Sequence, residues 1–227
     1  VANAPTDIQA MVITEERQVF TVGGDGEPRR IQVSEVEDYT VWAATESNQA
    51  VDRTLPGSGR LLNCLNVLQQ VLILGETDAH VARYIGPPYV YSVDTVGENC
   101  GPLCAEAAAA TDRFAVWWGA RDFWLYDGTL QQLPCDVIDF LYDDLDPLQV
   151  TKISCFTNSL YNEVWWLYQS GTSTTTELDS YVVWNYQSNA WQTGRLSRTA
   201  GRDGGVVVSV IMVDPDGLIY NHELTSV

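Results

Sequence analysis

Five cysteines, two histidines and thirty acidic side chains are the groups in this 227-residue chain that could bind a metal or move a proton. Cys100-Gly-Pro-Leu-Cys104 has the separation of half a zinc site. No second pair stands elsewhere, and His80 and His222 have no ligand-like neighbour in sequence. The spacing favours reduced structural thiols at Cys64, Cys100, Cys104, Cys135 and Cys155, with a Cys100–Cys104 or interchain disulfide as the alternative. Residues 122–146 carry seven acids (Asp122, Asp127, Asp136, Asp139, Asp143, Asp144 and Asp146) and no base. Asp143-Asp144-Leu145-Asp146 offers the carboxylates calcium takes, yet the glycine and distal Glu of a calcium loop are missing. A solvated helix face followed by a polar loop accounts for the same residues. Gly57-Ser58-Gly59 follows a proline and reads as a loop, not a nucleophile elbow. Gly23-Gly24-Asp25-Gly26 runs into Glu27-Pro28 and opens no phosphate-binding helix. No cofactor or metal site is expected.

Charge narrows the choice of partner. Twelve basic residues against thirty acids give a net charge of −18. The deficit is even: residues 1–113 hold 16 acids and 7 bases, residues 114–227 hold 14 and 5. A chain this acidic lacks the clustered Lys and Arg that grip phosphates, so a DNA-binding surface or an anionic membrane is disfavoured. Twenty-four aromatic residues exclude disorder. No apolar run approaches the ~20 residues of a membrane-spanning helix. The opening Val1-Ala2-Asn3-Ala4-Pro5 is not a signal peptide and reads as trimmed, or as part of something longer. The lack of an Asn-x-Ser/Thr sequon suits a bacterial or viral product of a reducing cytoplasm.

The elements that must position these groups are mostly strands. Short runs rich in β-branched and aromatic residues recur at 12–13, 18–22, 30–33, 70–74, 80–85, 89–93, 114–118, 123–126, 164–168, 181–186, 206–213 and 218–220. Turn residues separate them, as in Asp127-Gly128 and Asp214-Pro215-Asp216-Gly217. Helix is expected only over Pro102–Arg113, with its four consecutive alanines, and over Pro134–Tyr142, where apolar residues fall at 137, 138, 141 and 142. First-strand apolar positions near Phe20, Leu72, Trp117, Trp165 and Ile211 lie 52, 45, 48 and 46 residues apart. Strand repeats of about 40–50 residues mark propeller blades. The expected fold is therefore all-β: one propeller-like domain over 1–227, complete or partial, with repeats beginning near 18, 66, 114, 162 and 206. Doubled tryptophans at 117–118 and 165–166 would send one ring to each face of a blade. Arg outnumbers Lys eleven to one, and its planar fork suits inter-blade or inter-subunit pairing, with Arg29, Arg30, Arg195 and Arg198 as candidates.

Several phrases, in their order, resemble propeller-bearing nozzle or hub proteins of short-tailed bacteriophages, including those described as stabilising packaged DNA. They are Arg30-Ile31-Gln32-Val33-Ser34-Glu35-Val36-Glu37-Asp38-Tyr39 with Trp42, Arg83-Tyr84-Ile85-Gly86-Pro87-Pro88-Tyr89, and Trp124-Leu125-Tyr126-Asp127-Gly128 with Leu133-Pro134-Cys135. Asn162-Glu163-Val164-Trp165-Trp166, Tyr181-Val182-Val183-Trp184-Asn185-Tyr186 with Trp191, and Asp216-Gly217-Leu218-Ile219-Tyr220-Asn221-His222-Glu223 complete the series. The resemblance implies a non-enzymatic virion part, assembled in the host bacterial cytoplasm with other tail and neck proteins. It implies a homo-oligomeric ring, six-fold, through which DNA passes without specific binding. Asp136, Asp139, Asp143, Asp144 and Asp146 would then face the channel, where an acidic wall repels phosphate. The competing expectation is a carbohydrate-binding or glycan-hydrolysing propeller, which needs a concave pocket lined by Trp or Tyr beside paired carboxylates.

Overall fold

The computed structural model describes residues 1–204 and 209–222. It is all-β, with 48% strand and 6% helix, arranged as five antiparallel sheets in which each strand pairs with its neighbour in sequence. The first sheet holds β1 (Ala10–Ile13), β2 (Val19–Gly24), β3 (Glu27–Val33) and β4 (Val51–Thr54). The second holds β5 (Leu61–Val67), β6 (Gln70–Gly75), β7 (Asp78–Gly86) and β8 (Val90–Glu98). The third holds β9 (Ala108–Ala110), β10 (Ala115–Trp118), β11 (Phe123–Tyr126) and β12 (Leu130–Leu133). The helix α1 (Ile138–Asp144) precedes the fourth sheet of β13 (Ser154–Asn158), β14 (Glu163–Tyr168), β15 (Ser180–Asn185) and β16 (Ala190–Arg195). The fifth has β17 (Ala200–Arg202), β18 (Ile211–Val213) and β19 (Ile219–Asn221). These are propeller-type blades, opening at Ala10, Leu61, Ala108, Ser154 and Ala200, hence 46 to 51 residues apart. Of the expected strand at 206–213, residues 206–208 lie outside the described residues.

Three expectations need correction. Phe20, Leu72, Trp117, Trp165 and Ile211 all sit on the second strand of their sheets, not the first. Two of the first strands carry little apolar signal (Ala-Ala-Ala in β9, Ala-Gly-Arg in β17), whereas the second strands hold the long apolar runs of β6, β10 and β14, so the pattern locks onto the second strand. The alanine run is not a helix. A single 3-10 turn at Ala105–Ala107 gives way to β9, because buried Ala107, Ala108 and Ala109 are the small side chains this tight place accepts. Local helix propensity yields to packing. The later helix exists but begins at Ile138, so Pro134 lies outside it.

Contacts divide the chain into two compact units: 1–102 with 110–115 and 125–131, and 103–109 with 116–124 and 132–227. Strands of the third sheet contribute to both. In the first unit, Phe20, Ile31, Val33 and Val51 of the first sheet pack on Leu61, Ile73, Ala82 and Tyr91 of the second. The β2–β3 hairpin closes over Asp25-Gly26, both with positive φ, the conformation a two-residue hairpin turn demands. In the second unit, aromatic rings build the core. Trp166 stacks on Trp191 (6.0 Å) and meets Phe123 edge-on (4.9 Å), while its indole N–H donates to the Ala107 carbonyl at 2.9 Å. Neighbouring Trp165 packs on Phe156 and Tyr181 instead. One tryptophan thus serves each face of β14, as strand alternation requires. Leu167, from the Trp165 side, joins Phe156, Leu178, Val210 and Met212 against the fifth sheet.

Candidate functional site

The most buried charges in the first unit lie where β3 meets β7. Arg29 donates from Nη2 to Asp78 Oδ2 (2.7 Å) and from Nη1 to Oδ1 (3.3 Å). Its remaining donors reach the carbonyls of Leu55 (3.3 Å), Pro56 (2.7 Å) and Ser58 (2.9 Å). His80 Nε2 lies 3.1 Å from Asp78 Oδ2 and 3.0 Å from Arg29 Nη2, and its Nδ1 is 3.1 Å from the Thr95 hydroxyl. Asp78–His80–Thr95 has the connectivity of a catalytic triad, but the surroundings assign it another task. The carboxylate is already clasped by a guanidinium, and the space beside it is full. A Cβ on Gly57 would stand 2.7 Å from both Arg29 Nη2 and Asp78 Oδ2, and Gly57 adopts φ +120° to pass this point. The cluster fastens one sheet to the next. Arg29 is therefore spent on an inter-blade pair within the chain.

The other arginines singled out in the sequence are also engaged internally. Arg30 bridges Asp52 (2.6 Å) and Asp25 (3.1 Å). The Thr6 backbone N–H, then its hydroxyl, hold the Asp25 carboxyl below the usual range despite slight desolvation, with Arg30 adding to the effect. An ionised carboxylate of this kind cannot be the proton-carrying member of a glycosidase pair. Arg195 reaches Asp144 (3.0 Å) and Asp179 (3.5 Å). Burial alone would raise the Asp179 carboxyl, but hydrogen bonds from the Ser170 N–H and from the Ser180 and Ser170 hydroxyls outweigh it. Arg198 donates to His222 Nε2 (3.0 Å) and lies 4.2 Å over the Tyr220 ring. Burial and then that guanidinium push the His222 pKa down.

The acidic segment does not act as one surface. Asp136, Asp139 and Asp143 are exposed, the last two sharing a face of α1. Asp144 is turned inward, accepting from the Tyr168 hydroxyl (2.9 Å) and Arg195. Asp146 caps the following turn through the Leu148 N–H (2.9 Å). Among the described residues no group of three His, Cys, Asp or Glu is placed to hold a metal ion. None of the five cysteines, all among the described residues, is joined in a disulfide. Burial raises Cys64 to about 12 and Cys100, Cys104 and Cys135 to about 11, and lifts Cys155 well up, so none is an activated nucleophile.

One concave feature was not anticipated from the sequence. An open groove of about 870 Å³ runs in the first unit between residues 44–53, which include β4, and the hairpin residues Pro88–Tyr91. Buried Ala50, Val51 and Val90 form its apolar floor, and Glu46, Asp52, Arg53 and Tyr89 stand around it. Gly86-Pro87-Pro88 signals a turn in the sequence, but nothing there pairs Tyr89 with residues forty positions earlier.

No protein-family model matches the chain, and no curated protein does. Solved structures do share its fold, and they are β-propeller proteins. A chain of the nidogen/laminin complex superposes with a TM-score of 0.52 at 11% identity, over 92% of this chain and 73% of that one. A chain of the S. cerevisiae complex of Dbp5 with Nup159, Gle1, IP6 and ADP gives 0.54 at 9% identity, over 94% and 59%. The N-terminal domain of Nup159 gives 0.50 at 10% identity, over 94% and 60%. The chain thus spans about three-fifths of the Nup159-domain structure and almost three-quarters of the nidogen/laminin one. At such identities the likeness concerns the fold alone. Among the described residues no helix is long and apolar enough to cross a membrane.

Proposed function

We propose that this chain is a non-catalytic assembly part, a component of a bacteriophage tail nozzle or hub that forms a homo-oligomeric ring around the DNA exit channel. The observation that carries the reading is where the charged groups are spent. Arg29, Asp78 and His80 fasten two sheets, and Asp25 and Asp52 share Arg30. Each described carboxyl whose acidity clearly departs from normal (Asp25, Asp38, Asp179 and Asp214) is shifted down, the opposite of what a general acid needs. The remaining surface acidity, with Asp136, Asp139 and Asp143 exposed, suits a wall that duplex DNA slides past without being held. Other tail and neck proteins would be its neighbours, and the finer identity rests on the ordered phrases quoted above.

A chain carrying −18 repels its own copies unless salt screens them. The Debye length falls from about 10 Å at 0.1 M to about 3 Å at 1 M, so association should strengthen as salt rises. Sedimentation over that range, followed by negative-stain imaging, should show a ring-sized species. A monomer at every salt and protein concentration would overturn the proposal. So would hydrolysis of a bacterial polysaccharide that a single Asp→Asn change abolishes.

A further inference from the structure

The groove beside Tyr89 plays no part in the assembly reading, and its chemistry is that of a ligand site. Tyr89 is 76% exposed, a large ring held out at the turn joining β7 to β8. Its hydroxyl and the Glu46 carboxylate make no hydrogen bond to another described residue. Across the floor, Arg53 is half-buried and anchored by Nη2 to the Tyr91 carbonyl, which fixes its guanidinium while leaving further N–H donors. Asp52 is held by Arg30, so its negative charge is already compensated. The groove therefore combines a free aromatic face, an apolar floor, one planar cation and one unpaired carboxylate, with the local charges close to balance.

We propose that this groove binds a neutral oligosaccharide. A pyranose ring presents an apolar C–H face that an exposed tyrosine covers, and adjacent hydroxyls that both donate and accept. A carboxylate takes two hydroxyl donors, and a guanidinium gives two N–H bonds to hydroxyl oxygens. Polyanionic ligands are disfavoured by the −18 charge of the chain. An added peptide strand is disfavoured by the length of β4, whose four residues offer few main-chain bonds. The inference does not depend on the ring assembly, since the groove lies wholly within one compact unit.

The test uses the full chain and a panel of hexasaccharides of glucose, mannose, galactose and N-acetylglucosamine. Saturation-transfer NMR detects contact, and calorimetry measures affinity. At least one sugar should bind with a Kd below about 10 mM. Tyr89→Ala should weaken it about tenfold, Tyr89→Phe should keep most of the affinity, and Glu46→Gln should weaken it several-fold. Both positions are exposed, so circular dichroism and thermal unfolding should match wild type. Absence of saturation transfer across the panel at about 10 mM would overturn the proposal. Binding indifferent to Tyr89→Ala would do the same, as would uptake of a basic Lys/Ala peptide in place of every sugar. The salt-dependent mass in solution would be unaffected by any of these results, so the two readings fail separately.

Discussion

Replacing Arg29 with alanine isolates what joins the first two sheets. Arg29 is 5% exposed and Asp78 7%, so the substitution leaves a carboxylate in the interior with only His80 beside it. Breaking a buried pair from one side costs about 3–5 kcal/mol, because the survivor is neither solvated nor paired. The carbonyls of Leu55 and Pro56 lose their side-chain donor in the same stroke, and that of Ser58 loses the shorter of its two. Against a typical domain stability of about 5–15 kcal/mol this is a large share. At about 2–4 °C per kcal/mol for a chain of this size, the melting temperature should fall by about 6–20 °C. Arg29→Met combined with Asp78→Leu removes both charges and should recover about half the loss, as buried pairs are often replaceable by apolar groups. The recovery stays partial because the Leu55 and Pro56 carbonyls remain without donors, and Ser58 keeps only the Thr77 hydroxyl at 3.4 Å. Tryptophan emission is a poor reporter, since Trp42 is the single tryptophan of this unit and the other seven belong to its neighbour. Urea titration followed by hydrogen exchange resolved by peptide is the suitable assay, with protection lost first in β3 and β7. A loss under about 1 kcal/mol for Arg29→Ala, or a double variant as unstable as the single one, would refute the reasoning.

Three further outcomes are expected. Trp166→Ala should cost about 3–5 kcal/mol and abolish much of the near-ultraviolet dichroism, since the ring is fully buried against Phe123 and Trp191. Asp179 has a folded-state pKa below its unfolded value; the stability it lends is present above about pH 4 and is lost as pH falls through the folded value. Asp179→Asn should therefore flatten the acid limb of the stability–pH curve, measured by urea unfolding from neutrality downward. Native thiols should react slowly with a disulfide reagent at pH 8, because burial holds Cys64 near 12 and Cys100, Cys104 and Cys135 near 11, and all five should react promptly in urea.

The strands most plainly legible in the sequence are those buried on both faces; exposed β1 and β19 show only through their β-branched and aromatic residues. Val-Leu-Ile-Leu in β6, Val-Trp-Trp in β10 and Val-Trp-Trp-Leu in β14 announce themselves through unbroken apolar runs. Those missed lie at sheet edges, where one side meets solvent or a close backbone: Val-Asp-Arg-Thr in β4, Leu-Gln-Gln-Leu in β12 and Ala-Gly-Arg in β17 carry little pattern. β9 was lost for a different reason, since alanine favours helix wherever packing does not overrule it. The arginine reading found the right residue type but could not supply the partner, because Arg29 and Asp78 are 49 positions apart. The groove was hidden likewise: Tyr89 and Glu46 meet only after two sheets have formed.

Sheets built entirely from sequence neighbours have a consequence for biosynthesis. A ribosome releases one whole sheet for about every fifty residues it translates, and no described strand waits for a distant partner to be made. The exposed interval is different: a finished sheet must hold its sticky side in water until the next one arrives. For β14 that side bears Trp165 and Leu167; Phe156, Tyr181 and Leu178 cover part of it, and the rest waits until Val210 and Met212 leave the exit tunnel more than forty residues later. A pause in translation over that stretch is the moment at which a chaperone would matter most, and at which a nascent chain would be most prone to adhere to its neighbours.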